Sequence, residues 1–447
     1  MTPPRFGTDG IRARFGEEPL VEPTVRRIGF ALGVHLGGRA TAPLVLVGGD
    51  TRGSTAALAD WAARGLSAAG ARPVDVGVLP TPAVARLVTR RGATAGLVVS
   101  ASHNPASDNG LKLISADGYK WDIVDEQALE ARIDATPVPA DGAAAPRDGR
   151  RASEEYLDAL VAAAGGDRPL AGLRIALDCA NGAASKLAGT LFERLGGRVT
   201  LLHCEPDGAN INRDCGSTHP ESLAERIRSG GFDLGFAFDG DADRAMLVDE
   251  RGAVRDGDAM LVVWATALAA RGELDPPRIV ATSMSNLGLE RALAPAGIGV
   301  ERCAVGDRSV VETLRAQRLR LGGEQSGHLV DLARSTTGDG LLTATTLAGI
   351  VAGAGRPVSE LLAGFRRFPQ VLLNVPVRAK PQLSSLPEVA AATAEVERTL
   401  GADGRLVLRY SGTEPLARVM LEGPDEKTIR ALAERVVQAI RGTIGAA

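Results

Sequence analysis

The sequence predicts an α/β protein in which three similar segments precede a smaller α+β segment. Three observations predict it. Strands such as Gly96-Leu97-Val98-Val99 and Leu234-Gly235-Phe236-Ala237-Phe238 are apolar on both faces, as parallel strands covered by helices on both sides must be. An apolar strand, helix, strand rhythm recurs three times. At 447 residues the chain is also too long for one core, and three or four domains are expected.

The first segment runs from Leu44-Val45-Leu46-Val47 through an amphipathic stretch, Thr55 to Ala69, to Val74-Asp75-Val76-Gly77-Val78. It then reaches Gly96–Val99, which leads into Ser100. The second has a strand at Arg174–Asp178, a helix from Ala184 to Leu195 and a strand at Arg198–Leu202; Leu234–Phe238 then leads into Asp239. The third has Ile279–Thr282, a helix near Leu287 to Ala294, and a short strand Gly299-Val300-Glu301. Pro137 to Arg150, rich in Pro, Ala, Asp and Gly, reads as a linker. Past Arg366 the character changes. Val371–Val375, Leu406–Leu408 and Val419–Leu421 read as strands and Thr428 to Arg441 as a helix, the α+β part. The expected domains are 1–150, 151–253, 254–366 and 367–447.

Composition removes several function classes. Aromatic content of 3% is too low for a base-stacking nucleic-acid surface, and a net charge of −3 gives no field for nucleic acid or anionic lipid. No membrane span is expected, and Met1–Phe6 holds no apolar run of a signal peptide. Cys179, Cys204, Cys215 and Cys303 form no C-x-x-C pair; they read as buried thiols in a reducing compartment, so a cytoplasmic location is expected. Only five of 51 basic residues are Lys, so Lys112, close behind a motif, draws notice.

Reactive-looking motifs sit where strands end, the place where open α/β sheets bind ligands. In Ser100-Ala101-Ser102-His103-Asn104-Pro105, the proline disfavours helix at Asn104 and forces a turn, which would expose Ser102. Ser102 is a candidate nucleophile, with His103 and Lys112 as proton handlers. Asp239, Asp241 and Asp243 recur at period two after an apolar strand; in extended chain they would point to one side and need a hard cation, magnesium or calcium. An EF-hand fails here, because Arg244 holds the position that needs Gly. Arg244 is placed to brace a phosphate. In the glycine-bracketed loop Gly323–His328, Glu324 and Ser326 would share a side if extended, an arrangement suited to sugar hydroxyls. Arg409, Ser411, Gly412, Thr413 and Arg418 make an anion nest of hydroxyls, flexible backbone and guanidiniums.

In this order, these motifs resemble the α-D-phosphohexomutase superfamily, and within it the bacterial phosphoglucosamine mutase family. The resemblance spans the chain and is sharpened by Gly7-Thr8-Asp9-Gly10-Ile11-Arg12, Val305-Gly306-Asp307-Arg308, Gln325 and Thr337-Gly338-Asp339-Gly340. It implies three related α/β domains with mixed, mainly parallel sheets and a C-terminal α+β domain, heart-shaped around a central cleft. It implies a phosphorylated Ser102, Mg²⁺ held by Asp239, Asp241, Asp243 and a phosphoserine oxygen, and sugar contacts from Glu324 and Ser326. It gives Arg409, Ser411, Gly412, Thr413 and Arg418 the phosphate that is not transferred. Arg12, His103, Lys112, Arg244 and His328 would manage protons or charge at the reacting oxygen. The implied reaction exchanges glucosamine 6-phosphate and 1-phosphate through a hexosamine 1,6-bisphosphate, feeding UDP-N-acetylglucosamine and peptidoglycan precursors. Small sugar phosphates are the implied partners. A homodimer, and priming of Ser102 by a kinase or by autophosphorylation, stay open. Ala242 stands where many members have Gly, and an ordinary backbone conformation is expected there. A phosphomannomutase/phosphoglucomutase would use the same machine on another sugar. A phosphatase with Asp239 as nucleophile and a non-catalytic sugar-phosphate sensor are the other readings.

Overall fold

The computed structural model describes residues 6–7, 9–137, 139–411 and 414–446. The chain divides into two compact units, Met1–Thr282 with Glu301–Leu362, and Ser283–Val300 with Ala363–Ala447. The first sheet comprises β1 (Phe6–Gly7), β2 (Gly10–Arg14), β3 (Leu44–Gly49), β4 (Arg72–Val78), β5 (Ala95–Val99) and β6 (Asp108–Ser115), in the order β1-β2-β6-β5-β3-β4. β3 pairs parallel with β4 and β5, while β6, β2 and β1 extend the sheet antiparallel. The second sheet comprises β7 (Arg174–Asp178), β8 (Arg198–Leu202), β9 (Leu234–Phe238), β10 (Ala245–Asp249) and β11 (Val254–Arg255), ordered β11-β10-β9-β7-β8. The third comprises β12 (Arg278–Thr282), β13 (Gly299–Cys303), β14 (Leu321–Gly323) and β15 (Leu329–Asp331), ordered β13-β12-β14-β15.

The three sheets share one device. A buried strand (β5, β9 or β14) pairs parallel on one side and antiparallel on the other with the strand that follows it, β6, β10 or β15. All residues of β5, β9 and β14 are buried, which fixes their register against both helix layers. The turn joining each pair is therefore anchored at both ends, and each turn carries one of the motifs. Trp121, Trp264, Tyr156 and Phe236 are fully buried among the aliphatic core residues. Of the four cysteines, Cys179 and Cys215 are buried as expected, but Cys204 and Cys303 are half-buried. Among the described residues no helix is long and apolar enough to cross a membrane.

The second unit holds an antiparallel sheet of β16 (Gln370–Pro376), β17 (Arg405–Tyr410) and β18 (Leu416–Glu422), ordered β16-β18-β17. Helix Glu426–Ile444 is capped by Asp425 and buries Ile429, Leu432, Val436 and Ile440 in a cluster with Val371, Val375, Val419 and Leu421. Glu422, fully buried, ties residues near helix Leu287–Leu293 to this sheet. It accepts hydrogen bonds from Asn286 Nδ2 (3.1 Å), Leu287 N (3.2 Å), Gln370 Nε2 (3.1 Å) and Arg405 Nε. Removing a buried charge while leaving its partners in place is strongly destabilising. Glu422→Ala is expected to lower unfolding stability by about 3 kcal/mol in a denaturant titration.

Candidate active site

The loop after β5 sets Ser102 by backbone chemistry. Ser100 N donates to Gly110 O (3.0 Å), Ser100 Oγ donates to Asp50 Oδ2 (2.7 Å), and Ser102 N donates to Ser100 Oγ (2.9 Å). Ser102 takes a left-handed φ of 52°. Its Oγ donates to Asp239 Oδ2 at 2.7 Å and lies 3.3 Å from His103 Nδ1. The sequence predicts an exposed Ser102; the residue is instead 1% exposed. Its hydroxyl turns inward to the carboxylate, and the aspartate loop closes over its backbone. A Cβ on Gly240 would stand 2.5 Å from Ser102 O, so only glycine allows this approach.

Asp239, Asp241 and Asp243 bring carboxylate oxygens within 4.8 Å of one another, and all three residues are buried. They do so on a turn, not on the extended chain that period two suggests. Ala242 has φ 52°, correcting the expectation of an ordinary backbone there; Ala242 N donates to Asp239 O (3.1 Å) and Gly340 N to Ala242 O (2.9 Å), which hold the turn. Burial, then Asp243 and Asp241, push the Asp239 carboxyl well above the usual range. Asp241 Oδ1 and Asp243 Oδ1 are buried without a hydrogen-bond partner. A cluster of oxygen-only donors with orphaned lone pairs fits a hard divalent cation.

Cationic and imidazole groups surround the triad. Lys112 Nζ lies 2.8 Å from Asp241 Oδ2, 3.0 Å from Asp9 Oδ2 and 4.0 Å from Asp243 Oδ2. Burial pulls its pKa down, but Asp241, Asp9 and Asp243 outweigh burial and raise it, so the ammonium stays charged. Arg244 N donates to Asp239 Oδ1 (3.2 Å), and its Nε lies 3.7 Å from Asp243 Oδ1. Arg12 is paired with Asp9. His103 is half-buried; burial, then Arg244 and Arg12, bring its pKa down to about 4, so its imidazole is neutral at neutral pH. His328 stands one layer back: Nδ1 lies 3.6 Å from Asp243 Oδ2, and Nε2 accepts from Gly338 N (3.1 Å).

Glu324 and Ser326 do not lie on extended chain. Residues 324–327 form a tight turn, with Gly327 N donating to Glu324 O (3.0 Å) and Glu324 N to His328 O (3.1 Å). The turn needs Gly327, whose φ is 86° and whose Cβ would stand 2.0 Å from Ala245 O. Glu324 Oε1 accepts from Gly306 N (3.1 Å), and Ser326 Oγ is buried without a partner. Gln325 Nε2 donates to Asp258 Oδ2 (2.8 Å), which anchors the turn.

In the second unit, Arg409 and Arg418 face each other across β17 and β18. Burial, then Arg418, lower the Arg409 pKa. Like charges directly opposite repel, which an anion relieves. Arg418 Nη2 reaches Glu414 Oε2 (3.1 Å) and Ser411 Oγ (3.4 Å), and Lys380 Nζ donates to Ser411 O (2.7 Å). Gly412 and Thr413 lie outside the described residues.

The sequence matches four family profiles described as phosphoglucomutase/phosphomannomutase: alpha/beta/alpha domain I over residues 3–138, domain II over 154–252, domain III over 256–368, and the C-terminal domain over 372–439. The chain belongs to the phosphoglucomutase/phosphomannomutase family. Phosphoglucosamine mutases of Rhodococcus erythropolis and Moorella thermoacetica are 45% and 44% identical to it, over 97% and 95% of this chain and 98% and 96% of theirs. A Burkholderia thailandensis phosphoglucomutase/phosphomannomutase family protein superposes with a TM-score of 0.82 at 26% identity, covering 99% of both chains. The fold is shared with Aspergillus fumigatus N-acetylphosphoglucosamine mutase, solved with GlcNAc-6P and magnesium (TM-score 0.66, 18% identity, 98% and 95% coverage).

Several residues around this phosphohexomutase site carry no role in the sequence reading. Asp9 bridges Lys112 and Lys120, and Lys120 Nζ also reaches Asp307 Oδ2 (2.6 Å). Thr81 Oγ1 donates to Asp241 Oδ2 (2.6 Å). Asp9 and Asp307 sit inside the Gly7–Arg12 and Val305–Arg308 motifs, and Lys120 is one of the five lysines, so charges beside those motifs point to them. Thr81, 160 positions from Asp241, leaves no local signal. Asp241→Asn removes one donor charge from the triad, and calorimetric titration with Mg²⁺ is expected to show affinity reduced by roughly tenfold or more.

Proposed function

We propose that this protein interconverts glucosamine 6-phosphate and glucosamine 1-phosphate through a phosphorylated Ser102 and a bound 1,6-bisphosphate. The carrying observation is the 2.7 Å contact of Ser102 Oγ with Asp239 inside a buried carboxylate triad. Relatives 42–45% identical over nearly the whole chain are phosphoglucosamine mutases, which supports the amino sugar as substrate.

In the forward half-reaction the phosphorus–Ser102 oxygen bond breaks as a bond to the sugar hydroxyl forms, and the hydroxyl proton leaves. The neutral ring of His103 is the base we assign to that proton, at Nδ1. Lys112, held charged by Asp241 and Asp9, cannot accept it and instead steadies negative charge. Arg244 and Arg12 add positive charge, and His328 orients Asp243. Asp239, Asp241 and Asp243, with an oxygen of the phosphorylated Ser102, are the groups that would hold Mg²⁺. When bound, that ion neutralises charge on the phosphoryl group. Glu324 and the unpartnered Ser326 hydroxyl are assigned to sugar hydroxyls. Arg409, Ser411 and Arg418, with Gly412 and Thr413, are assigned to the non-reacting phosphate. A reducing cytoplasm suits the four free thiols.

Ser102→Ala should lower kcat at least ~10⁴-fold in a coupled assay with glucosamine 6-phosphate and Mg²⁺, with no phosphate on the protein by intact mass. Full turnover in that variant would reject the phosphoserine route. Higher kcat/KM on mannose or glucose phosphates would reassign the sugar and leave the route intact.

A further inference from the structure

The two backbone carbonyls that flank the His103 peptide are gripped twice, by side chains from distant parts of the first unit. Arg52, its side chain fully buried, donates from Nη2 to Ser102 O (2.9 Å) and Asn104 O (2.9 Å). Its Nη1 donates to Pro105 O and Asp108 O (2.9 Å for the latter), and its Nε donates to Asp50 Oδ2 (2.9 Å). Asn212 Nδ2 donates to the same pair, Ser102 O at 2.9 Å and Asn104 O at 3.0 Å. Asn212 is itself set at φ 58° by its N–H to Ala180 O (2.9 Å).

We propose that Arg52 and Asn212 form a positioning clamp that keeps the Ser102 backbone left-handed, with Oγ aimed at the aspartate triad, through every phosphorylation state. An unphosphorylated Ser102 helps hold its own geometry by donating to Asp239. Once Oγ carries a phosphoryl group it has no proton to donate, so this hydrogen bond is lost, and a metal held between the phosphoryl oxygen and the triad would restrain the side chain rather than the backbone. A left-handed serine is intrinsically unfavourable, so its backbone needs restraints that do not involve Oγ, or the loop relaxes and shifts the phosphoryl group relative to its acceptor. The clamp acts on carbonyls, not on Oγ, and phosphorylation leaves it untouched. Arg52 is suited to this because its planar fork meets four carbonyls and a carboxylate at once, which the point charge of lysine cannot do. The same Asp50 that receives Arg52 also receives Ser100 Oγ, which in turn accepts from Ser102 N, so amide and carbonyl of Ser102 are fixed from one buried anchor.

This inference rests on the phosphoserine reading for its consequence but not for its geometry, and the test separates the two. Arg52→Lys and Asn212→Gly are made in the full chain; the glycine removes the carboxamide while accepting the positive φ. Amide hydrogen exchange is followed over residues 100–110, with near-ultraviolet circular dichroism to check the fold, and kcat and KM are measured. Exchange is expected to rise several-fold in both variants, with kcat reduced roughly 10- to 100-fold and KM within about twofold of wild type. Unchanged exchange overturns the clamp, whatever the activity. Faster exchange with unchanged kcat overturns its role in phosphoryl transfer. If Arg52→Lys does not fold, Asn212→Gly, at a half-buried position, decides alone. A wild-type protein that gains no phosphate on Ser102 from a hexose 1,6-bisphosphate sinks the phosphoserine reading, and exchange still reads the clamp.

Discussion

Three buried carboxylates on one turn are the constraint around which the first unit is arranged. Taking an anion out of water is costly unless partners surround it, and three together compound the cost. The chain answers with alternating charge: Asp241 meets Lys112, Lys112 meets Asp9, Asp9 meets Lys120, and Lys120 meets Asp307. Arg244 and His328 serve the remaining side. The participants come from widely separated stretches of sequence, so the network forms only once the sheets have folded. It is less a source of net stability than a device that leaves one arrangement acceptable.

The same network divides the chemical labour. Lys112 and His103 look alike as nitrogen bases placed near a serine, yet their surroundings drive them apart. Lys112 faces carboxylates and is held protonated, whereas burial together with Arg244 and Arg12 keeps His103 neutral. One nitrogen is thereby kept as a fixed positive charge beside the carboxylates, and the other as an uncharged ring with a free lone pair beside the serine.

Much of this was legible in the sequence, for identifiable reasons. Leu234–Phe238 is recognised because both faces of the strand are apolar, and the structure gives a strand over the same residues. Apolar periodicity marks the C-terminal helix from Thr428 to Arg441; the helix extends over Glu426–Ile444, because its Asp425 cap lies outside that periodicity. The antiparallel returns through β10 and β15 are set by tertiary pairing rather than by local pattern, and strand rhythm alone does not reveal them. The motifs pick out the reactive residues of the first unit but not their partners Arg52, Asn212 and Thr81: a hydrogen bond to a backbone carbonyl, or to a side chain 160 positions away, leaves no local mark. The burial of Ser102 is hidden from its local sequence for the same reason, since the loop that covers it lies 137 residues away.

The backbone conformation of the aspartate loop follows from what its carboxylates must do. In an extended strand, alternate side chains point the same way but stand about 7 Å apart. That spacing is too wide for three oxygens to share one small cation, whose ligands sit 2.0–2.6 Å from it. Contracting the loop brings the oxygens within 4.8 Å, and the contraction is made by a left-handed residue at position 242. Glycine would adopt that conformation freely; alanine gives up about 1 kcal/mol to do so. The hydrogen bonds to Asp239 O and from Gly340 N compensate by leaving Ala242 no relaxed alternative. The strain at Ala242 and the strain at Ser102 thus have one origin: both loops are bent to bring oxygen atoms from separate strands to a single point.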